Sequence, residues 1–413
     1  MSFIEQFTKR GYLYQATNIT KLTEITKAQK ICAYVGFDVT AKSLHVGNLM
    51  QVMIMRLMQQ HGHKPIIIVG GATTKIGDPS GKDKMRKMLS DKDIMENMLG
   101  LKKSLSKFLS FGDGPSDALL LNNSQWLENI NYIEFLRDFG KYFSINKMLT
   151  MESVKARLDR EQHLSYLEFN YMLLQGYDFY HLYKEHNCIL QFGGSDQWGN
   201  IITGIDLIHK ALEKESFGIT TPLLTTSSGV KMGKTESGAI WLNEEMLTPY
   251  DYFQFWRNTE DLDVLKFANL YAEYTDDELA DFGKEVTTNI NQAKERLSHR
   301  LTSLCHGVES ADKALKAAID IFTGNGIDES LPSIDINESE LEKGISIVEL
   351  MHMIDTSTSK SDIKRLIRGG GAKINNEKIE NEDFIVSSSC IIDNEYIKLS
   401  FGKKKHSLVK IIK

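Results

Sequence analysis

Through roughly the first 225 residues, short apolar β-branched runs alternate with helical patterns, and this alternation most narrows the folds open to the chain. Residues 31–37, 66–70, 119–122 and 188–193 read as buried strands, each closing on Gly, Asp or Asn or just before one. Residues 46–60 are apolar almost all round, as expected of a helix packed inside an α/β sandwich. The alternation predicts an α/β, Rossmann-like domain: a mostly parallel sheet with helices on both faces. Ligands of such sheets sit beyond the carboxyl ends of the strands, where the Gly- and Asp-rich turns lie.

At 413 residues the chain exceeds one ordinary core. From Thr248 it turns helical: Thr248-Pro249 reads as an N-cap with proline at the first helical position, and Thr275-Asp276-Asp277-Glu278 as a capping box. The expected order is the Rossmann-like domain at 1–225, a mobile loop and connection at 226–247, a helical domain at 248–322, a Gly-, Ser- and acid-rich linker at 323–344, and a small α+β domain at 345–413. In the last, residues 361–368 predict a basic helix stopped by Gly369-Gly370-Gly371, with strands at 373–375, 390–393 and 397–401. The formal charge is −6, yet residues 360–413 carry +5 and the rest −11. A basic tail on an acidic body hints at a nucleic-acid-facing module, although a solvated lysine-rich surface is the commoner meaning.

A hydrophobic fraction of 41% and a charged fraction of 25% are those of a globular chain. The strongest apolar stretch, around 66–69, is far too short to span a bilayer, and the first residues lack a basic region followed by an apolar run. Cytoplasmic localisation is expected, with neither a membrane nor DNA as partner. Cys32, Cys188, Cys305 and Cys390 have no close neighbours in sequence and read as buried thiols in a reducing compartment.

Three segments carry candidate chemistry. Leu44-His45-Val46-Gly47-Asn48 opens the first long helix, whose unpaired N–H groups favour phosphate. The plainer reading is a histidine at a helix start beside a packing glycine. Lys231-Met232-Gly233-Lys234-Thr235 places two lysines in a Ser/Gly-rich loop, a cationic arm able to close over a triphosphate. The stretch from Gly70 to Lys82 superficially resembles a P-loop, but its glycines are misspaced and Asp83 stands at the Ser/Thr place. Asp78 remains there as a carboxylate for an ammonium group, or as a turn-forming Asx.

Together these residues carry a family resemblance. Tyr34 through Asn48 resembles the HIGH region of bacterial-type tyrosyl-tRNA synthetases, and Lys231–Thr235 their KMSKS loop. The runs 171–179 and 193–200 resemble that family's tyrosine and adenylate motifs, and 366–379 the RNA-binding domain typified by ribosomal protein S-four. The resemblance spans essentially the whole chain in the family's domain order. It implies that Tyr34 and Asp178 bind a substrate phenol, that Asp78, Tyr171 and Gln175 hold its α-ammonium, and that Gln197 lies near the carboxylate. Gly36, Asp38, Gly47, Asn48, Gly194 and Asp196 would line the adenylate. Thr40 and His45 would meet the γ-phosphate side of ATP, while Lys82, Arg86, Lys231, Lys234 and Thr235 close over pyrophosphate.

The implied chemistry is attack of tyrosine's carboxylate on the α-phosphorus of ATP, then transfer of tyrosyl to the terminal ribose of tRNA(Tyr). Mg²⁺ is expected to arrive with ATP, as no compact carboxylate cage marks a resident metal site. A buried pair facing the phenol disfavours phenylalanine, consistent with the family's known discrimination without an editing domain. Lys364, Arg365, Arg368, Lys373, Lys403, Lys404 and Lys405 would bind tRNA phosphates. The family is homodimeric.

Three positions depart from the commonest pattern. Asn48 replaces a second histidine, Val39 replaces a proline and is expected to loosen the turn before Thr40, and Gly233 and Thr235 replace two serines. Rival readings are a tryptophanyl-tRNA synthetase, a small-molecule nucleotidyltransferase and a non-catalytic RNA-binding paralogue. The last would be expected to lose His45, Lys231 or Lys234, all of which are present.

Overall fold

The computed structural model describes residues 1–78, 89–229, 232–235, 238–323, 331–375, 377–392, 396–402 and 405–412; at 153, 234, 235 and 320–323 only the backbone is described. The chain divides into two compact units, the first comprising Met1–Gly233, Trp241–Asn243 and Leu265–Leu279.

In the first unit, strands β1 (Gln15–Ala16), β2 (Cys32–Phe37), β3 (Lys64–Val69), β4 (Leu119–Asn122), β5 (Cys188–Gly194) and β6 (Phe217–Thr221) form one sheet in the order β1-β6-β5-β2-β3-β4. All neighbours are parallel except β1, which runs antiparallel along the edge of β6. The inner strands are apolar on both faces because both faces are covered. Ile66, Ile67, Ile68 and Val69 are buried, each contributing about 1.5–3 kcal/mol. Helix α1 (Val46–Gln60) buries Val46, Leu49, Met50, Val52, Met53, Ile54, Met55, Leu57 and Met58, which explains its apolar circumference. β1 and β6 are new to the structure, their short or Gly/Thr-rich sequences giving no strand period.

Two further long helices, α2 (Tyr166–His186) and α3 (Trp198–Leu212), flank β5 in sequence. Part of the stretch expected to be a separate helical domain belongs to this unit: Tyr12 Oη donates to the Leu270 carbonyl, and Arg56 pairs with Glu273 at 2.6 Å. Cys32 and Cys188, 156 positions apart by number and without close sequence neighbours, are Cα partners across β2 and β5.

The second unit comprises Lys234–Ile240, Glu244–Val264 and Ala280–Lys413. Helix α4 (Pro249–Arg257) starts as its sequence requires, with Thr248 Oγ1 accepting the Asp251 N–H at 3.1 Å. Helices α5 (Ile290–His306) and α6 (Val308–Thr323) follow. Tyr250, Phe253, Ala314, Ala317, Ala318, Leu331 and Leu408 share one core.

The C-terminal part contains β7 (Ser333–Asn337), helix α7 (Lys360–Arg368), β8 (Ala372–Ile374), β9 (Glu377–Lys378), β10 (Tyr396–Phe401) and β11 (Lys405–Ile412). Among the described residues its main sheet has the order β9-β8-β10-β11-β7. Residues 333–337, polar enough to read as linker, pair parallel with β11 along Ser333↔Leu408 to Asn337↔Ile412. Of the strand expected at 390–393, residue 393 lies outside the described residues, Ser388–Cys390 is a 3-10 turn whose Cys390 carbonyl accepts the Asn375 side-chain amide at 2.5 Å, and Ile392 makes an isolated bridge to Tyr396.

Candidate active site

At the middle of the first unit's sheet, β2 and β5 are neighbours whose successor strands run off in opposite directions, so a crevice opens beyond their carboxyl ends. A cleft of about 290 Å³ lies there. Its lining brings together Tyr34, Gly36, Asp38, Gly47, Asn48 and Asp78 from the first half of the unit. Tyr171, Gln175, Asp178, Gly194, Asp196 and Gln197 join them from α2, the end of β5 and the turn that follows. Tyr171, Gln175 and Asp178 share a face of α2 because helical neighbours recur at three and four residues.

Tyr34 and Asp178 form one end, exposed by only 1% and 4%. Asp178 accepts the Trp126 indole N–H at 2.7 Å on Oδ1 and the Asn123 amide at 3.0 Å on Oδ2. Burial pushes its carboxyl up to about 7, against the lowering effect of those two hydrogen bonds. Burial, then Asp178, raises the Tyr34 phenol well above its ordinary value. Tyr34 Oη is buried without a hydrogen-bond partner among the described residues. A carboxylate retains lone pairs after accepting two bonds, so the pair offers one donor and one acceptor to a phenol.

Toward the other end, Gln197 Nε2 donates to Asp78 Oδ2 at 2.8 Å, while Gln197 Oε1 accepts the Asn200 amide at 3.1 Å and the Gln175 amide at 3.4 Å. This places a carboxylate and amide oxygens where an ammonium group can be held. Asp78 follows a short helical turn, Thr73–Ile76, and Gly77 at φ 87°, rather than a strand end.

The helix that opens beside the cleft is closely packed at its start. Asn48 Oδ1 accepts the His45 N–H at 3.2 Å, so asparagine preserves a hydrogen bond at this departure from the commoner histidine. The His45 ring meets Trp241 edge-on at 5.9 Å. A Cβ on Gly47 would fall 2.8 Å from the His45 ring and 3.1 Å from the Met232 carbonyl. Gly233 sits at φ 89°, and its Cβ would fall 2.5 Å from the Gly47 nitrogen. The two glycines let the 232–233 backbone pack directly on the helix start. The turn at Val39 is not loosened: its N–H donates to Thr74 Oγ1 at 2.9 Å, a bond proline cannot make, and its carbonyl accepts the Asn97 amide at 2.9 Å.

Thr40 and His45 lie two residues outside the lining, next to Asp38 and Gly47 respectively. Lys82, Arg86 and Lys231 lie outside the described residues, and Lys234-Thr235 is described by backbone alone, as a hairpin strand paired with Gly238-Ala239. Among the described residues, no group of three or more His, Cys, Asp and Glu could hold a metal ion.

Asn123, Trp126 and Thr73 are functional candidates that sequence reading missed. Asn123 is fixed by the Ala72 N–H on its oxygen at 2.9 Å and by donation to Thr73 Oγ1 at 3.0 Å, while Trp126 stacks on His181 at 4.4 Å. The signal available was Asn122-Asn123 at the end of β4, where an α/β sheet places polar groups. Asn123→Ala removes a bond to the charged carboxylate. Its expected result is a further upward shift of Asp178, read from the pH dependence of the unfolding midpoint.

Comparison with known proteins decides the family. The model for tRNA synthetases class I (W and Y) matches residues 26–323, and that for the tyrosine–tRNA ligase SYY-like C-terminal domain matches 325–409. Tyrosine–tRNA ligases of Rickettsia conorii and Rickettsia typhi are 59% and 55% identical over 411 residues, covering 100% of both chains in each case. The chain belongs to the tyrosyl-tRNA synthetases. A C-terminally truncated mitochondrial tyrosyl-tRNA synthetase of Aspergillus nidulans superposes with a TM-score of 0.71 at 28% identity, covering 78% of this synthetase and 94% of that chain. In the synthetase, the second family match begins at 325, so the parallel strand β7 falls within the C-terminal match.

Proposed function

We propose that the enzyme binds L-tyrosine with its phenol between Tyr34 and Asp178, its ammonium at Asp78, Tyr171 and Gln175, and its carboxylate near Gln197. The observation that carries this reading is the buried, unpartnered Tyr34 hydroxyl beside the buried Asp178 carboxylate. Leaving the buried Tyr34 hydroxyl unpaired costs about 1–3 kcal/mol, a cost a phenol relieves and a phenyl ring does not. ATP lies along Gly36, Asp38, Gly47, Asn48, Gly194 and Asp196, with Thr40 and His45 toward the γ-phosphate. Tyrosine's carboxylate attacks the α-phosphorus, forming tyrosyl-adenylate and releasing pyrophosphate. The terminal ribose hydroxyl of tRNA(Tyr) then takes the tyrosyl group and AMP leaves.

No protein nucleophile is needed; the residues align the reactants and offset charge growing on pyrophosphate. Lys82, Arg86, Lys231, Lys234 and Thr235 belong to that last role, and Mg²⁺ enters with ATP. The test is amino-acid-dependent ATP–pyrophosphate exchange with tyrosine, tryptophan and phenylalanine in parallel, without tRNA. Exchange with tyrosine alone is expected; exchange with tryptophan would overturn the pocket assignment.

The tRNA surface includes the basic residues of the C-terminal domain, which differ in availability. Lys405 pairs with Asp355 at 2.7 Å, Arg368 with Glu382 at 2.8 Å, Lys364 with Glu382 at 3.7 Å, and Arg365 with Asp362. Lys373 is exposed on β8 and has no ion pair among the described residues, whereas Lys403 and Lys404 lie outside them. Lys373→Ala is expected to weaken tRNA binding and reduce the salt slope by about one. Lys405→Ala would do less, as measured by filter binding across a salt series.

A second copy covers the apolar surface around Tyr132, Ile133, Ile145, Tyr166 and Leu167, each more than half exposed although Tyr132 and Tyr166 hydroxyls already meet at 2.9 Å. Ile133→Glu should yield monomers by sedimentation. Residence in the cytoplasm accords with the reading; among the described residues no helix is long and apolar enough to cross a membrane.

A further inference from the structure

Cys32 and Cys188 are free thiols brought together only by the sheet. They face each other as Cα partners of adjacent parallel strands, where side chains of paired residues leave the same face. Neighbouring strands lie about 4.7–4.9 Å apart, inside the Cα separation a disulfide accepts. The ladder is irregular immediately after this pair, with Ala33 opposite Leu190, so Ile189 is an extra residue able to absorb a local adjustment.

The surroundings give the pair a route and a consequence. A second cavity, away from the tyrosine cleft, is lined by Cys32 with Lys30, Lys64 and His186, whereas Cys188 is fully buried behind it. A hydrogen bond from Cys188 draws the Cys32 thiol below its ordinary value against burial, with Lys64 assisting. Burial pushes Cys188 well above its own ordinary value. One sulfur thus faces a cavity that holds two lysines, and its neighbour lies fully buried.

On the other side, Cys32, Cys188, Tyr34 and Phe179 belong to one buried cluster, with the Tyr34 and Phe179 rings 5.3 Å apart. Tyr34 stands two residues from Cys32 on the same strand face.

We infer that Cys32 and Cys188 form a hydroperoxide-sensitive dithiol beneath the tyrosine pocket, and that its disulfide slows tyrosine activation by displacing Tyr34. The Cys32 thiolate attacks a peroxide oxygen, giving a sulfenic acid and releasing an alcohol, or water from hydrogen peroxide. The Cys188 sulfur then attacks the Cys32 sulfur; its proton and the departing hydroxide leave as water. Two thiols and one hydroperoxide become one disulfide, one alcohol and one water, and an external dithiol reverses the change. A disulfide's commonest Cα separation, about 5.5–6 Å, exceeds the strand spacing, so closing it shifts the two strand positions, and Tyr34 moves with β2 relative to Asp178.

The activity readout rests on the function proposed above, but the chemical readout does not. The full-length protein is treated with hydrogen peroxide, remaining thiols are alkylated, and peptides are mapped by mass. A peptide pair linked through Cys32 and Cys188 is expected, with the part-exposed Cys390 outside it. The tyrosine KM in pyrophosphate exchange should rise roughly tenfold, since misplacing a positioning group by about 1 Å can cost up to 10²-fold. The ATP KM should stay within about twofold, and dithiothreitol should restore the tyrosine value.

Cys32→Ala and Cys188→Ala should each abolish the link and the peroxide effect. Absence of the linked peptide overturns the inference, as does a link that leaves the tyrosine KM unchanged or an equal loss in Cys32→Ala. Failure of the reduced wild-type protein to catalyse exchange would instead count against the proposed function, with the peptide map still deciding the disulfide.

Discussion

Asp178→Asn is expected to lower kcat/KM for tyrosine in pyrophosphate exchange about 10²-fold while leaving the ATP KM within about twofold, because hydrogen bonds to a charged group contribute about 1.5–3 kcal/mol. The carboxylate receives Trp126 and Asn123 and still has capacity for the substrate hydroxyl. An amide has one acceptor oxygen for these three donors, and its NH₂ faces groups that are themselves donors. The preference for tyrosine over phenylalanine should fall by a similar factor, since the loss concerns the hydroxyl alone. Equal losses for tyrosine and ATP would show that the phenol pocket lies elsewhere.

The same substitution has a stability signature. Burial raises the folded-state carboxyl to about 7 from an ordinary 3.8. Below 3.8 both folded and unfolded chains hold the proton, and its stabilising effect is fully present. Between 3.8 and about 7 the folded state binds more protons than the unfolded, so stability declines as pH rises. Asp178→Asn should flatten this part of the profile, as checked by urea midpoints of the unliganded protein from pH 4 to pH 8.

Gly233→Ala is expected to lower the rate of tyrosyl-adenylate formation about 10²-fold with the tyrosine Kd within about twofold, a barrier increase near 3 kcal/mol. Two effects add. At φ 89° a non-glycine residue is strained by about 1–3 kcal/mol. The new Cβ would also lie 2.5 Å from a backbone nitrogen of Gly47, which cannot swing aside as a flexible side chain would. The 232–233 segment would then lift from the start of α1, taking the neighbouring lysines of the loop with it. Stopped-flow measurement of adenylate formation against equilibrium dialysis of tyrosine separates the two quantities. An unchanged rate would mean that this packing does not persist at the transition state.

Much of the architecture could be read because its causes are local. Residues 31–37, 66–70 and 188–193 had to be inner strands: their apolar residues leave no solvated face, and a helix as apolar as 46–60 needs cover all round. Thr248-Pro249 and Thr275-Glu278 start helices through hydrogen bonds spanning three residues, which sequence spacing specifies. Failures occurred where long-range pairing outweighs composition. Ser333–Asn337 carries three polar residues of five, yet it completes the edge of β11; Cys390, Ile391 and Ile392 are apolar, yet the Asn375 side chain takes the Cys390 carbonyl.

The candidate site divides in the same way. Sequence supplied the residue types, their order and the family resemblance, because Tyr34, Asp178, Gly47 and Gly233 stand in motifs of distinctive spacing. Tertiary structure alone decided that Asn123 and Trp126 orient Asp178, that Thr74 holds Val39, and that Cys32 opposes Cys188. These contacts join residues 35 to 156 positions apart, and their existence depends on strand order and register. A local pattern fixes which side chains leave one face of a strand or helix; only packing determines which distant face they meet.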